Sequence, residues 1–91
     1  MKIYILITDT KEAKINKFIL DTISRFLEIN IGKNLYFRQL SFKKAYEWEC
    51  QENEINKELK NWIRNFTFSK NIDCNFINGL KDRKKKLLLA D

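Results

Sequence analysis

The segment KAYEWEC, Lys44 to Cys50, alternates between two kinds of side chain and anchors the prediction of the fold. Its two faces are, in order, Tyr46, Trp48 and Cys50 on one side, and Ala45, Glu47 and Glu49 on the other. A period of two residues is that of a β-strand with one face on a core. We therefore predict a half-buried strand here.

Three further segments predict strands on either side of this one. They are KIYILI at 2–7, NLYFRQL at 34–40 and IDCNFIN at 72–78. KIYILI is a continuous β-branched and apolar run, which is typical of a central strand. IDCNFIN alternates, with Ile72, Cys74 and Phe76 on one side. The link SFKK after Leu40 contains no Gly or Asn. The prediction that the strands on either side of it form a hairpin therefore depends on the strand patterns and not on a turn motif.

Two segments carry apolar residues at helical spacing. The two stripes are Ile15, Phe18, Ile19, Ile23, Phe26 and Leu27, and then Ile55, Leu59, Trp62, Ile63 and Phe66. Asp9 followed by Glu12 has the form of a capping box at the start of the first helix. Gly32 supplies its end, because glycine tolerates the left-handed conformation. The second helix is predicted near Asn53 to Phe66.

The predicted order is strand–helix–strand–strand–helix–strand, an α+β fold of the ferredoxin-like βαββαβ type. Right-handed crossovers place the first and third strands side by side in the centre of a four-stranded antiparallel sheet. Both helices then lie on one face of that sheet. A chain of 91 residues has room for one such core.

The net charge of +6 and the isoelectric point of about 9.4 make nucleic acid the first partner to consider. Most of the basic residues are Lys, however, and the chain is also rich in Ile and Asn, a bias typical of AT-rich genomes. Phosphate clamping and base recognition favour Arg. We expect scattered, solvated lysines, and nucleic acid is not favoured as a partner.

The cysteine and histidine content excludes several kinds of site. The chain has two cysteines and no histidine, which is too few ligands for a zinc site and rules out a Ser–His or Cys–His pair. In the predicted order Cys50 and Cys74 lie about 9–10 Å apart on strands separated by the first, so we expect free, buried thiols and no cofactor for this chain. The apolar run after Met1 is too short for a signal peptide or a membrane span, which predicts a cytoplasmic protein with no membrane partner.

The segment GLKDRKKKLLLAD, Gly79 to Asp91, ends the sequence in an unusual way. Its first part is a linker by composition, and LLLAD then resumes the pattern of a buried strand. Two interpretations stay open on this pattern alone. LLLAD is either a fifth strand of the same sheet or the first strand of a further domain.

The stretch RKKKLLLAD, Arg83 to Asp91, resembles the entry to the catalytic domain of bacterial phosphoserine phosphatases, where the consensus continues as D-x-D-S-T. These enzymes belong to the haloacid dehalogenase-like superfamily. Many of them begin with a small ACT-like α+β domain of similar length and strand order. About twenty residues, Ile72 to Asp91, carry the resemblance to the family's last strand, basic linker and first catalytic strand.

The resemblance implies that residues 1–79 are an ACT-like regulatory or assembly domain and that 80–91 are a basic linker and the first catalytic strand. Asp91 then stands at the position of the nucleophile, which binds Mg²⁺ and forms an aspartyl-phosphate. The 91-residue chain alone lacks the other catalytic groups, so we expect it to be inactive. Its implied partners are the catalytic domain and, as an open possibility, a second copy in a homodimer.

Other functions remain as alternatives. Many ACT-type modules bind an amino acid at the loop after the first strand, but Thr8–Lys14 contains no Gly, so Asp9 is expected to be a helix cap rather than a ligand contact. An RNA-binding module of RRM type shares the strand order and would use aromatic residues on the open sheet face, with Tyr36, Phe37, Tyr46 and Trp48 as the candidates. The sequence has no Gly-rich RNP1 pattern, so we expect these side chains in the core. The third alternative is a stand-alone protein–protein adaptor.

Overall fold

The computed structural model describes residues 1–8, 13–32, 35–40 and 45–89. In chain order the elements are β1 (Lys2–Thr8), α1 (Ala13–Asn30), β2 (Tyr36–Leu40), β3 (Ala45–Gln51), α2 (Lys57–Ser69), β4 (Cys74–Asn78) and α3 (Gly79–Leu89). A 3₁₀ turn, Glu52–Glu54, precedes α2. The predicted order of the first six elements is confirmed.

The four strands form one antiparallel sheet in the order β2-β3-β1-β4. The first and third strands therefore lie in the centre, as predicted, and β1 pairs with β3 on one side and β4 on the other. Ile5 faces Trp48 in one neighbour and Phe76 in the other. This is the α+β, ferredoxin-like arrangement that the sequence predicts.

Helices α1 and α2 cover the same face of the sheet, which is also as predicted. The core between them and the sheet consists of Ile3, Ile5, Ile7, Ile19, Ile23, Leu27, Trp48, Cys50, Ile55, Ile63 and Ile72. The alternate residues of β1 supply one side of this core, and the i, i+4, i+8 positions of α1 supply the other. The stripe predicted for α1 is its buried face from Ile19 to Leu27, whereas Phe18 is exposed. The side chain of Ile15, which the prediction includes, lies outside the described residues.

Helix α2 begins later than the sequence predicts. Asn56 caps it, because its side-chain oxygen accepts a hydrogen bond of 2.9 Å from the backbone N–H of Leu59. Asn53 instead lies in the 3₁₀ turn. The cap fixes where the helix starts, which a hydrophobic pattern alone does not.

Helix α3 corrects the prediction of a basic linker followed by a strand. Residues 79–89 are helical and contact β1 and β4. Leu, Lys and Arg are strong helix formers, and Asp82 in the first turn and Lys86 in the last turn suit the helix dipole. Gly79 makes the sharp exit from β4 with φ of +81°, a conformation that costs other residues more. Residues 87–89, for which the sequence predicts a strand, are helical in this structure.

The second face of the sheet has its own smaller core. Tyr4, Leu6, Leu40, Ala45 and Ile77 form it. Because α3 packs on this face against β1 and β4, β1 is buried on both sides from Ile3 to Ile7. The half-buried strand predicted for β3 is likewise covered on both faces over much of its length, with Ala45 and Glu47 buried opposite Trp48 and Cys50.

Candidate functional site

A buried carboxylate lies between the sheet and α3. The side chain of Glu47 in β3 is 0% exposed, and two arginines bind it. Nε of Arg83 in α3 donates to both carboxylate oxygens at 3.0 Å, and Arg38 of the neighbouring strand β2 donates to Oε1. Charged groups are rarely buried unless they are paired, and here both partners are guanidinium groups that can bind bidentately.

The ion pairs continue along the sheet surface. Arg38 also donates to Oε1 of Glu49 at 2.9 Å, and Nζ of Lys2 lies 3.1 Å from Oε2 of Glu49. The hydrogen bond from Arg38, followed by that from Lys2, lowers the pKa of Glu49 against the opposing effect of its burial. Burial alone would lower the pKa of Arg38, but Glu49 and Glu47 outweigh it and raise that pKa. We call these five residues, Lys2, Arg38, Glu47, Glu49 and Arg83, the charge network.

Two tyrosines complete the surroundings of the charge network. The guanidinium carbon of Arg83 lies 5.3 Å from the ring centroid of Tyr4, and that of Arg38 lies 4.7 Å from the ring centroid of Tyr36. Cation–π contacts of this kind hold the planar guanidinium groups in place. Both carboxylates of the charge network are paired with cations. Because Arg83 belongs to α3 and Glu47 to β3, the network holds α3 on the sheet, and we assign it a structural role.

A second feature lies on the outer side of the helix layer. The exposed side chains of Phe18, Asp21, Arg25 and Ile29 in α1 and of Trp62 in α2 line a shallow groove there. We call these five residues the outer helix surface. Phe18 is 54% exposed, Ile29 is 77% exposed and Trp62 is 38% exposed. Large apolar side chains grouped in this way on a small domain are typical of an interaction surface.

Stacked rings support the floor of this groove. Phe26 and Trp62 stack with centroids 3.8 Å apart and planes at 10°, and Trp62 stacks on Phe66 at 5.3 Å. The row joins α1 to α2 and holds the indole at the surface in one orientation. A rigid, half-exposed tryptophan is the kind of side chain that contributes most at protein interfaces.

A separate cleft lies between α1 and the edge of the sheet. Ser24 and Glu28 of α1 face Leu35, Phe37 and Trp48 across it. One hydroxyl and one carboxylate beside apolar side chains give no combination typical of catalysis, so we assign the cleft no function.

The sequence-predicted site residue Asp91 lies outside the described residues, as do Asp9 and Glu12 of the predicted capping box. Their roles stay predictions. Within the described ranges, no three or more His, Cys, Asp or Glu side chains gather closely enough to hold a metal ion. No helix in those ranges is long and apolar enough to cross a bilayer.

Both cysteines are free thiols in the structure. Cys50 pairs with Ile3 and Cys74 with Ile7, so they flank β1 near its opposite ends. Burial is the main cause that raises the pKa of each thiol to about 11. The prediction of buried thiols is confirmed for Cys50, whereas Cys74 is half-buried against the core.

The four aromatic side chains considered for RNA stacking do not share an open face. Phe37 lies opposite Trp48 with ring centroids 5.3 Å apart, and Trp48 and Tyr46 belong to the core beneath α1 and α2. Only Tyr36 points to the other face, under Arg38. The core prediction holds for Trp48 and in part for Tyr46, but Tyr36 and Phe37 are exposed. This arrangement does not provide the stacking platform that the RNA-binding alternative requires.

Sequence reasoning missed the charge network and the outer helix surface. The alternation in β3 placed Glu47 correctly on the face opposite Trp48 but gave no sign that α3 would cover it. The register of the β2–β3 hairpin was the available signal, since it sets Arg38 directly opposite Glu47. No protein-family model, curated protein or solved structure matches this chain.

Proposed function

We propose that this chain is the N-terminal regulatory or assembly domain of a cytoplasmic phosphoserine phosphatase, whose catalytic domain begins with the strand that ends at Asp91 and continues beyond it. The resemblance of Arg83–Asp91 to the entry of that catalytic domain supports the parent enzyme. The strand order supports the position of the domain, since the family's N-terminal domain has the same order of elements. The parent reaction is Mg²⁺-dependent hydrolysis of O-phosphoserine to serine and phosphate, a step of serine biosynthesis.

The observation that carries the assembly role is the outer helix surface. Its three apolar side chains, Phe18, Ile29 and Trp62, are exposed together on the outer side of the helix layer. Burying them against another protein surface would release water from each, and apolar burial is the main driving force of association. The charge network, by contrast, is saturated by its own partners.

In the proposed enzyme Asp91 is the nucleophile and a ligand of Mg²⁺. A carboxylate at the carboxyl end of a parallel strand is well placed for both tasks, because the sheet edge there is open to substrate. The proposal requires residues 87–91 to form that strand in the complete enzyme. We therefore expect α3 to end before Leu87 once the catalytic domain is present.

Phosphate release from O-phosphoserine by the product of the complete reading frame tests this function. We expect Mg²⁺-dependent activity that Asp91→Asn abolishes and that Asp73→Asn, the same change at an exposed residue before β4, leaves unaltered. The 91-residue chain alone should be inactive. A complete product without activity would overturn the phosphatase proposal and leave the adaptor role, which uses the same outer helix surface.

A further inference from the structure

We propose that the outer helix surface binds a second copy of this chain, with α1 antiparallel to α1 of the partner subunit. The two-fold axis crosses the outer face of α1 at the height of residues 23–24, midway between Phe18 and Ile29. The inference rests on the assembly role proposed above and names its partner and geometry.

The apolar ends of the stripe match each other under this symmetry. Phe18 and Ile29 are eleven positions apart, which is about 16 Å along the helix at 1.5 Å per residue. A two-fold axis midway between them sets Phe18 of each subunit against Ile29 of the partner subunit. Trp62 lies beside α1 and widens the contact on both sides. Each exposed apolar side chain therefore gains an apolar neighbour.

The charges between these ends are also self-complementary. Asp21 and Arg25 lie on opposite sides of the same midpoint, and both are exposed. An antiparallel pairing brings Asp21 of one copy to Arg25 of the partner subunit, twice. Neither residue forms an ion pair with another side chain of the described ranges.

This charge pattern selects a second copy over other partners. The chain carries a net charge of +6, whereas the outer helix surface holds one acid and one base and is locally neutral. A strongly acidic partner would oppose Asp21, and a strongly basic one would oppose Arg25. A parallel pairing of two copies would set Asp21 against Asp21. Only the antiparallel pairing satisfies both charges and both apolar ends with the residues already present.

A charge swap tests the geometry directly. Asp21→Arg sets two arginines together across the axis, and Arg25→Asp sets two aspartates together. We expect each single variant to raise the dimer dissociation constant at least about 10-fold, because two attractive contacts become repulsive. The double variant D21R/R25D restores opposite charges and should return the constant to within about 3-fold of the wild type. Sedimentation equilibrium of the 91-residue chain over a range of concentrations measures these constants.

Two matched variants separate this effect from general ones. Asp82→Lys makes a similar change of charge on α3, on the other face of the sheet, and should leave the dimer intact. Ile29→Asn removes an apolar side chain that is 77% exposed, so it should weaken the dimer without lowering the melting temperature measured at a concentration where the wild type is monomeric. A circular-dichroism melt of every variant confirms that it folds.

Three results would overturn the inference. They are a wild-type chain that stays monomeric up to about 1 mM, a double variant that does not recover, or an Ile29→Asn dimer as tight as the wild type. None of these bears on phosphate release by the complete reading frame. Failure of the dimer and failure of the phosphatase proposal are therefore separate outcomes.

Discussion

Arg83 of α3 and Glu47 of β3, 36 positions apart in the chain, are joined by two hydrogen bonds of 3.0 Å from one nitrogen to both carboxylate oxygens. Together with Arg38 on β2, this contact ties the edge strand, the central strand and the last helix to one another. The sheet thereby has a covered second face, and β1 becomes a strand buried on both sides.

We expect Glu47→Gln to lower the free energy of unfolding by about 3 kcal/mol. The substitution leaves two guanidinium groups beside a neutral amide in a buried position, and breaking one partner of a buried ion pair costs several kcal/mol. Urea denaturation measures the change. Glu28→Gln, the same substitution at an exposed position on α1, should stay within about 0.5 kcal/mol of the wild type. Equal stability of the two variants would contradict a stabilising role for the charge network.

Arg83→Gln should release α3 while the sheet stays folded. Among the described side chains of α3, Arg83 binds Glu47 and lies over the ring of Tyr4, whereas Leu80 is 53% exposed. We expect backbone amides in residues 80–86 to exchange with deuterium roughly 10-fold faster or more, because local opening becomes easier by more than about 1 kcal/mol. Amides of α2 serve as the internal control and should keep their rates. Uniform acceleration in both helices would mean that the whole domain loses stability instead.

The stability should also depend on pH through Glu49. Its folded-state pKa lies below the ordinary value of 4.5, chiefly because Arg38 donates to the ionised carboxylate. The ionised Glu49 therefore stabilises the fold fully at pH values above 4.5, and this stabilisation is lost as the pH falls through the lower pKa of the folded state. We expect the stability difference between wild type and Glu49→Gln to shrink from pH 6 to pH 3. When Arg38→Gln is also present, the stability difference caused by Glu49→Gln should change less between pH 6 and pH 3. If that difference depends on pH as strongly as it does with Arg38 present, a residue other than Arg38 lowers the pKa of Glu49.

Both thiols should react slowly in the folded chain. A pKa of about 11 at Cys50 and Cys74, against an ordinary value of 9.0, leaves roughly 100-fold less thiolate at pH 8. We expect a thiol-specific reagent to label the folded chain at least about 100-fold more slowly than the urea-unfolded chain. Because the folded state keeps these protons to a higher pH, its stability should fall between pH 9 and pH 11. Rapid labelling of either cysteine under native conditions would contradict the burial.

The sheet and its first two helices follow from hydrophobic periodicity. The β-branched run of β1 and the alternation of β3 marked the two central strands, and the stripes ending at Leu27 and Phe66 marked α1 and α2. These features are local, since the spacing of apolar residues by itself distinguishes the period of a strand from that of a helix. The start of α2 was placed too early, because the decisive contact is one hydrogen bond at Asn56.

The last helix and the charge network did not follow from periodicity, because their determinants are not local. A run of basic residues without an apolar stripe is found both in linkers and in exposed helices, so its composition does not distinguish the two. Only Arg83 among those basic residues lies on the face that reaches Glu47. The outer helix surface was missed for a related reason, since Phe18 and Ile29 extend the apolar arc of α1 beyond what one sheet covers.

The codons that follow Asp91 in the gene test the proposal that the catalytic domain of a phosphoserine phosphatase continues beyond this domain. We expect these codons to encode any residue, then Asp, then Ser and Thr, followed by a further reading frame of about two hundred residues, roughly one domain by size. A stop codon directly after Asp91, or a continuation without that second aspartate, would contradict it.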